Sequence, residues 1–500
     1  MSTVTELRTD VTPAPDPNRF KTLWLIAVAQ LMIVLDASVV VVALPSAQKA
    51  LHISTANRQW ALTAYTLAFG GLLLLGGRIA DLVGRKRIFI IGLLGFGGAS
   101  ALGGLAANSA MLFSARALQG AFAALMAPAS LSLLQVTFTE AKERARAFGV
   151  FGAISGGGAA IGLILGGALT EYASWRWTLL INVPFAIVTA VFSARVLRES
   201  RAEQRSRIDL PGVLLSTVGL LSLVYGFTKA ATDGWGSGTT LTYLAAAGVL
   251  LALFVVVEAR VTSPLLPLRV VSDRDRGGSF LGSTLVGIAL LGTFLSLTYY
   301  LQATLHYSAL KTGLAFLPLS IGIIISATIA SQLLPRVGPK LLVMFGTALG
   351  TVGLFLFTKI GVDGDFIGRI LPAEVILSLG MGFAFVPNSS TALIGVDEHD
   401  AGVASALVNT TQQIGGSLGT ALLNTVAASA TATFLVAHGT KELRGALVHG
   451  YTTAFEVSGA ILLAAFVVAA TLIRRGVPPV PEHEPEGVTE AIVDFAELGA

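Results

Sequence analysis

The fold of this chain is decided by residues 76–87, which read Gly76-Gly77-Arg78-Ile79-Ala80-Asp81-Leu82-Val83-Gly84-Arg85-Lys86-Arg87. This short charged segment lies between two apolar runs, at 58–78 and 88–106. Each run is about 20 residues long, the length that an α-helix needs to cross the ~30 Å hydrocarbon core of a bilayer. In lipid every backbone polar group must be paired internally, so long continuous runs predict helices, whereas a β-barrel would show alternating segments of about ten residues.

The rest of the chain repeats this pattern of apolar runs and short polar connections. Hydrophobic residues make up 54% of the 500 residues and charged residues only 12%, whereas soluble proteins carry about 25% charged residues. A soluble core could not hide this much apolar surface, so we predict an all-α integral membrane protein of about 14 transmembrane helices. The predicted spans are 22–44, 58–78, 88–106, 111–135, 147–170, 178–197, 210–229, 240–259, 278–303, 312–334, 341–358, 366–392, 401–427 and 451–473.

Positive charge is distributed unevenly between the two sides of these spans. Of the 33 lysines and arginines, 22 fall on the side of the N-terminus and nine on the opposite side, while Arg78 and Arg116 lie within spans. Cytoplasmic segments carry the excess of lysine and arginine. We therefore predict a multi-pass protein of the plasma (inner) membrane with both termini in the cytoplasm, and we expect no nucleic-acid partner.

A weak internal repeat divides the chain into two halves. Residues 76–86 resemble residues 334–340, and aligning Gly84 with Gly338 gives an offset of 254 that also places Gly162 on Gly416. Spans 1–6 are thus repeated as spans 9–14, as in secondary transporters, whose binding site lies between repeats. The predicted domains are a disordered cytoplasmic N-terminus (1–20), two six-helix bundles (21–200 and 276–475), two inserted helices (201–275) and an acidic cytoplasmic tail (476–500).

Several short motifs carry a family resemblance. They are Leu35-Asp36-Ala37-Ser38 followed by Ala43-Leu44-Pro45, Gly77-x-x-Ala80-Asp81-x-x-Gly84-Arg85-Lys86-Arg87, Arg116-x-x-Gln119-Gly120, Trp175-Arg176-Trp177 followed by Ile181-Asn182-Val183-Pro184, and Tyr300-Leu301-Gln302 followed by Gly313 and Leu317-Pro318. In these motifs residues 20–475 resemble the major facilitator superfamily, and within it the fourteen-helix drug:proton antiporters of the multidrug efflux type. The resemblance implies export of hydrophobic compounds, including cationic drugs and toxins, in exchange for protons by alternating access.

The fifth span departs from the antiporter pattern. In the family this helix carries glycines and ends in a Gly-Pro pair that is associated with export. Here Leu163 stands where the proline is expected, among Gly158, Gly162, Gly166 and Gly167. The departure keeps an alternative open, namely a proton-coupled carrier of a single metabolite or nutrient with the same fold. The glycines predict a helix face that slides or bends against a partner, or one that merely packs closely.

Two acids and one arginine are candidates for proton coupling or substrate binding. Asp36 lies near the middle of span 1, where burying a carboxylate costs about 2.5–3.5 kcal/mol, and intramembrane acids are functional by default. Arg116 in span 4 is always charged and is expected to hold a carboxylate or a carbonyl, or else to reach the membrane interface. Glu374 lies one turn inside span 12, where it is either a coupling site or a carboxylate at a helix start.

The segment that joins spans 2 and 3 is a candidate conformational latch. We expect Asp81 to cap span 3 and Arg85 to pair with acids of adjacent helices, with Gly77 and Gly84 in the same motif. Such a latch would be made in one transport state and broken in the other; the alternative is anchoring of positive charge at the membrane surface. The candidate cavity residues, each of which could instead be a packing residue, are Trp60, Tyr65, Gln119, Gln302, Phe383, Asn388 and Gln412.

Several chemistries are excluded by what the sequence lacks. With no cysteine, the chain has no disulfide frame and no thiol catalysis. No histidine falls within a predicted span, so we expect no embedded metal site, and without a G-x-x-x-x-G-K-[ST] loop we expect no ATP-driven step. The sequence thus predicts a transporter, not an enzyme, without cofactors or metals. Its partners would be a small-molecule substrate, protons and the lipid bilayer, and a monomer would suffice because one chain holds both halves.

Overall fold

The computed structural model describes residues 17–138, 140–201, 209–262, 264–396, 401–439 and 442–474. Most of the segment predicted as a disordered N-terminus, and all of the predicted acidic tail, lie outside these residues.

The described chain is built of fourteen long helices. In chain order, α1 to α14 are Arg19–Ala50, Trp60–Val83, Arg85–Gly104, Ser109–Thr137, Ala141–Tyr172, Trp177–Val196, Leu210–Asp233, Gly238–Glu258, Arg274–Thr304, Ala309–Val337, Pro339–Phe357, Phe366–Leu393, Ala401–His438 and Leu443–Leu472. Each predicted span corresponds to one of them. Within the described ranges, thirteen are long and apolar enough to cross a membrane, and the fourteenth, α5, is 32 residues long. The predicted fold class is therefore confirmed.

Helix ends were less predictable than the helices themselves. The predicted span at 401–427 is part of a 38-residue helix that runs to His438. The apolar run ends at a stretch of small and hydroxyl residues, Ala428 to Thr433, but these residues continue the backbone hydrogen bonds of the helix. Hydropathy reports the lipid-facing part of a helix, and a helix can extend beyond it.

The first six and the last six helices pack in the same way. In the N-terminal half, α4 packs against α2 and α3, α5 against α1, and α6 against α1 and α3. In the C-terminal half, α12 packs against α10 and α11, α13 against α9, and α14 against α9 and α11. Every contact of one half recurs in the other with eight added to each helix number. The predicted pair of six-helix bundles with two inserted helices is thus confirmed.

The joints that revealed the repeat also match in backbone conformation. Gly84 ends α2 with φ +127° and Gly338 ends α10 with φ +79°. Both values lie where a side chain would clash with the backbone, so glycine fits both joints. Asp81 does not cap α3, contrary to our expectation: it lies in the last turn of α2, and Gly84 occupies the cap position. Instead, Glu199 Oε1 accepts the Lys86 N–H at 3.1 Å.

The halves meet at two seams, and the inserted helices cover one of them. The seams are formed by α2 with α13 and by α5 with α10. Helix α7 packs on both α2 and α13, where Val224 of α7 is buried with Leu67 and Ala421. Helix α8 packs on α7 and leaves apolar side chains such as Leu241 and Val249 exposed, as expected for a lipid-facing helix.

Candidate functional site

A large cavity lies between the two halves. Its volume is 840 Å³, within the range of roughly 300–1,000 Å³ found for small-molecule sites. It runs from Arg116 deep in the bundle to Asp81 and Gln135 near the ends of α2 and α4. We call that end of the bundle, which also holds the start of α1, the mouth end. Most of the wall is apolar. The larger apolar side chains include Ile33, Val34, Val41, Leu62, Phe69, Leu73, Leu74, Leu131, Phe151, Leu163, Leu290, Leu291, Phe294, Ile323 and Val403.

At the opposite end, which we call the sealed end, side chains join the two halves. Arg58 Nε donates to Asn424 Oδ1 at 2.8 Å, and the Arg58 guanidinium lies 3.6 Å from the centre of the Tyr299 ring. The hydroxyls of Thr63 and Thr420 are 2.8 Å apart. Arg58, Thr63 and Thr420 are all buried. The cavity is therefore closed on this side by polar contacts between α1–α6 and α9–α14.

Asp36 and Arg116 form a buried ion pair beside the cavity. The Asp36 Oδ2 atom accepts from Arg116 Nη1 at 2.5 Å, and both side chains are no more than 1% exposed. Asp36 Oδ1 accepts from Gln119 Nε2 at 2.8 Å and from Asn182 Nδ2 at 2.9 Å. Three donors thus surround one carboxylate, the arrangement that a buried charge requires.

Arg116 is itself held in place on several sides. Its Nε donates to the Ala61 carbonyl at 2.9 Å and its Nη1 to Gln119 Oε1 at 2.8 Å. The guanidinium lies over the Tyr65 ring, 4.4 Å from its centre. Arg116 and Tyr65 belong to the cavity wall, whereas Asp36 is not among the described wall residues. A molecule in the cavity would therefore contact the Arg116 guanidinium. The Asp36 carboxylate, which neutralises that cation, lies on the side of Arg116 away from the cavity.

Glu374 lies apart from this pair, in the C-terminal half near the sealed end. It is fully buried, and neither of its carboxyl oxygens has a hydrogen-bond partner in the described part of the chain. It is not part of the described cavity wall. An ionised carboxylate without a partner would be very costly at this depth, so the geometry fits a neutral, protonated acid.

The candidate latch residues lie at the mouth end. Gly77 and Asp81 belong to the cavity wall, and Arg85 Nη2 pairs with Asp81 Oδ1 at 3.0 Å. The Arg85 N–H also donates to the Ser200 carbonyl at 3.0 Å. These described contacts all stay within the N-terminal half.

The glycines of α5 allow two other helices to approach closely. A Cβ atom at Gly158 would lie 3.0 Å from Val34, and one at Gly166 would lie 2.8 Å from the Val39 backbone, so this face packs on α1. The Gly162 position faces Ser38 in the same way, whereas Gly167 faces Ala309 at the start of α10. The contact between the halves at this seam is therefore backbone-to-backbone.

Leu163 is buried at the same seam. It is 2% exposed, belongs to the cavity wall, and its carbonyl lies directly under Gly313 of α10.

The structure separates the other candidate cavity residues. Tyr65 and Gln412 belong to the described wall, and Gln119 is buried in the Asp36 network. Three candidates lie in other contacts: Trp60 against Tyr225, Phe383 against Phe345, and Gln302 with its Nε2 donating to the Val42 carbonyl. Asn388 is buried and faces Gly282, and its amide has no hydrogen-bond partner among the residues described.

Sequence reasoning missed several polar residues of the site. Asn182 was quoted only as part of a motif, and neither Ser100 nor Arg58 was a candidate site residue. In the structure Ser100 Oγ accepts from Gln119 Nε2 at 2.8 Å, so it supports the Asp36 network from α3. Asn182 interrupts an apolar stretch at membrane depth, and this was the available signal.

Comparison with known proteins places the chain in a family. The family model described as Major Facilitator Superfamily matches residues 26–420. The chain is 49% identical to the puromycin resistance protein pur8 of Streptomyces alboniger, with 95% of this chain and 96% of that protein covered. It is 38% identical to the cephamycin export protein CmcT of Amycolatopsis lactamdurans, covering 93% and 94%.

A solved structure shares the fold at much lower identity. It is a bacterial homologue of the human lysosomal transporter Spinster, crystallised in an inward-facing and occupied conformation. The TM-score is 0.68 at 14% identity, with 91% of this chain and 96% of that chain covered.

Proposed function

The chain belongs to the Major Facilitator Superfamily and is a membrane transporter, not an enzyme; we propose that it exports hydrophobic compounds, including cationic drugs or toxins, in exchange for protons by alternating access. The observation that carries this proposal is the position of Arg116 in the cavity wall with Asp36 directly behind it. The printed functions of the relatives, puromycin resistance and cephamycin export, support drug export. The charge distribution supports a mouth end that faces the cytoplasm of a plasma (inner) membrane.

The Asp36–Arg116 pair offers a simple way to couple a cation to a proton. While Asp36 is ionised, the pair is neutral and a hydrophobic cation can occupy the apolar cavity. When a proton binds Asp36, the charge of Arg116 is no longer balanced. At ~8 Å and an effective dielectric constant of ~20, its repulsion of a bound cation is about 2 kcal/mol, roughly thirty-fold in affinity. Proton and cation therefore oppose each other's binding, as antiport requires.

Glu374 is a second proton-binding group in this proposal. Its buried carboxyl without a partner holds a proton in the conformation described, and release would require a rearrangement that opens the sealed end. We expect Glu374→Gln to insert and fold normally, because an uncharged amide replaces an uncharged acid. We expect it to lose uphill, proton-driven export while keeping substrate exchange in the absence of a pH gradient. Unchanged uphill export would exclude this role.

The remaining candidates take conformational roles. The pair of Asp81 and Arg85, with Gly77 and Gly84, would act as the latch at the mouth end. The close contacts of Gly158, Gly162, Gly166 and Gly167 would let α5 slide on α1 and α10 as the seam moves. One chain contains the whole cavity, which supports a monomeric transporter.

Antiport can be tested in inside-out membrane vesicles that are acidified within and carry a pH-sensitive dye. Lipophilic cations would be compared with neutral compounds of similar size, using the unmodified protein and Asp36→Asn. Asp233→Asn, which changes a carboxylate at the far end of α7, is the matched control. We expect cations to dissipate the gradient with the unmodified protein and the control but not with Asp36→Asn. Dissipation that is equal in Asp36→Asn would refute coupling through this residue.

The alternative function, a proton-coupled carrier of a single metabolite or nutrient, rests on Leu163 in place of the expected proline. It would be favoured if no cation or drug dissipated the gradient while the protein was shown to be folded and inserted. The largely apolar cavity wall favours the drug exporter.

A further inference from the structure

Two further buried acids lie together at the mouth end of the inserted helices, away from the Asp36 site. Asp209 immediately precedes α7 and Glu258 is the last residue of α8; they are 5% and 3% exposed. Asp209 Oδ1 accepts the Gly212 N–H at 2.9 Å, which caps α7. Glu258 Oε2 accepts the Leu266 N–H at 2.9 Å. One oxygen of each carboxyl group thus has an ordinary structural partner.

The other two oxygens face each other. Within the residues that the structure describes, Asp209 Oδ2 and Glu258 Oε1 are buried and have no hydrogen-bond partner. Both point into the same small space above Gly212: a Cβ atom at that position would lie 2.6 Å from Glu258 Oε1 and closer still to Asp209 Oδ2. The two free oxygens therefore share one small space, and only glycine at position 212 leaves room for this approach.

Among the described residues, neither carboxyl group forms a salt bridge with a lysine or arginine. Four arginines lie on the neighbouring elements, and each has a partner of its own or is exposed. They are Arg78 on α2, which donates to the Pro264 carbonyl, Arg260 after α8, which is exposed, Arg269 in the short helix Leu268–Ser272, and Arg276 on α9, which donates to the Val270 and Gly395 carbonyls.

Two ionised carboxylates would therefore be buried side by side, which like-charge repulsion strongly disfavours. A carboxylate only accepts hydrogen bonds, whereas a protonated carboxyl also donates one. A single proton on either group supplies the missing hydrogen and satisfies both free oxygens. We propose that Asp209 and Glu258 hold one proton between their facing oxygens, and that this shared proton fastens the inserted helices to the connection that follows them.

That connection, described at residues 259–262 and 264–267, crosses between the two halves at the mouth end. Pro264 accepts from Arg78, a residue of the cavity wall on α2, at 3.3 Å. Leu266, held by Glu258, packs in an apolar cluster with Phe280 of α9 and Leu407 of α13. The connection therefore touches the N-terminal half through one residue and the C-terminal half through another. Any change in the separation of α2 and α13 at the mouth must move it.

The shared proton makes this fastening depend on the pH of the cytoplasm. At low pH the proton is bound and the connection is held. As pH rises the proton is lost, the two carboxylates repel each other, and Glu258 is pushed from its contact with Leu266. This proton site is separate from Asp36 and Glu374, and it regulates the mouth instead of being carried across the membrane.

Amide variants imitate the protonated state. In Glu258→Gln, the side-chain N–H₂ donates to Asp209 as the shared proton does, and the amide oxygen still accepts from Leu266. In Asp209→Asn, the cap of α7 is preserved because asparagine caps as well as aspartate. Either variant should hold the connection closed at every pH, whereas Glu258→Ala should release it at every pH. Asp233→Asn, at the other end of α7, is the control.

Two measurements on the full-length protein in lipid nanodiscs test the proposal. Infrared difference spectra at acid pH should show a protonated-carboxyl band that is lost in both amide variants and kept in the control. Hydrogen exchange of peptides covering 259–267 is compared between the proteins at the same pH. The exchange rate of the unmodified protein should match that of Glu258→Gln at acid pH and that of Glu258→Ala at alkaline pH. The proposal would be overturned if the amide variants kept the protonated-carboxyl band. It would also be overturned if the exchange rate of the unmodified protein equalled that of Glu258→Gln at both pH values. Neither readout needs transport, so failure of the antiport proposal would leave this result intact.

Discussion

Replacing Asp36 with asparagine tests the buried charge network most directly, because the change keeps the shape of the side chain. The carboxylate accepts from Arg116 on one oxygen and from Gln119 and Asn182 on the other. An asparagine offers one accepting oxygen and one donating nitrogen. If the asparagine oxygen faces Arg116, the asparagine N–H₂ lies against the donors of Gln119 and Asn182. In the opposite orientation, the N–H₂ group lies against the Arg116 guanidinium, which is also a donor.

The magnitude follows from the burial of Arg116. Both side chains of the pair are essentially inaccessible, so Asp36→Asn leaves an uncompensated buried cation. Breaking a buried pair by removing one partner costs about 3–5 kcal/mol. In the double variant Asp36→Asn with Arg116→Gln no charge is left unpaired, and we expect it to recover a large part of that loss.

The assay is unfolding in mixed micelles titrated with a denaturing detergent, followed by the fluorescence of the five tryptophans. Asp81→Asn is the matched control, since the Asp81 side chain is 40% exposed and pairs with Arg85, which begins the next helix. Such exposed pairs contribute about 0.2–1 kcal/mol. If Asp36→Asn costs no more than the control, Arg116 is not held by a buried charge and the coupling argument fails with it.

Further predictions concern the sealed end and the packing around the site. The chain has no cysteine, so a disulfide between Thr63→Cys and Thr420→Cys, whose hydroxyls are 2.8 Å apart, should block transport until it is reduced, while either single variant transports normally. Removing one donor to the Asp36 carboxylate with Asn182→Ala should cost about 1.5–3 kcal/mol in the same unfolding assay; a loss equal to that of Asp36→Asn would contradict the three-donor arrangement. Gly120→Ala would drive a Cβ atom into a carbonyl of α2 and should cost about 1–3 kcal/mol. A Cβ atom at Gly98 would have no neighbour within 4 Å, so Gly98→Ala should not be destabilising. Equal losses of stability in the two variants would refute the close helix contact at Gly120.

The fold was largely predictable because a bilayer imposes strong rules on a chain that crosses it. Runs of about 20 apolar residues become helices, and the offset that aligns Gly84 with Gly338 identified two halves whose packing proved to be the same. The exceptions were local. Asp81 lies one turn too early in α2 to cap α3, and Glu199, from the segment after α6, takes that place; no local pattern reports a contact made across more than a hundred residues.

The candidate site was predictable in part, for a related reason. Asp36, Arg116 and Glu374 stand out because a charge at membrane depth is costly wherever it occurs. Their partners do not stand out. Asn182 and Ser100 are ordinary polar residues in helices, and their importance arises because α3 and α6 bring them within hydrogen-bonding distance of Gln119 and Asp36.

The sequence by itself determined that this protein spans a membrane with about fourteen helices, twelve of them in two repeated halves, because hydropathy and charge act on each segment independently of its neighbours. Only the tertiary structure decided which helix faces meet. It put Arg116 in the cavity wall with Asp36 behind it, left Glu374 without a partner, and brought Asp209 and Glu258 together from the two ends of a hairpin. Those arrangements depend on distances between residues far apart in the chain, and no local pattern encodes them.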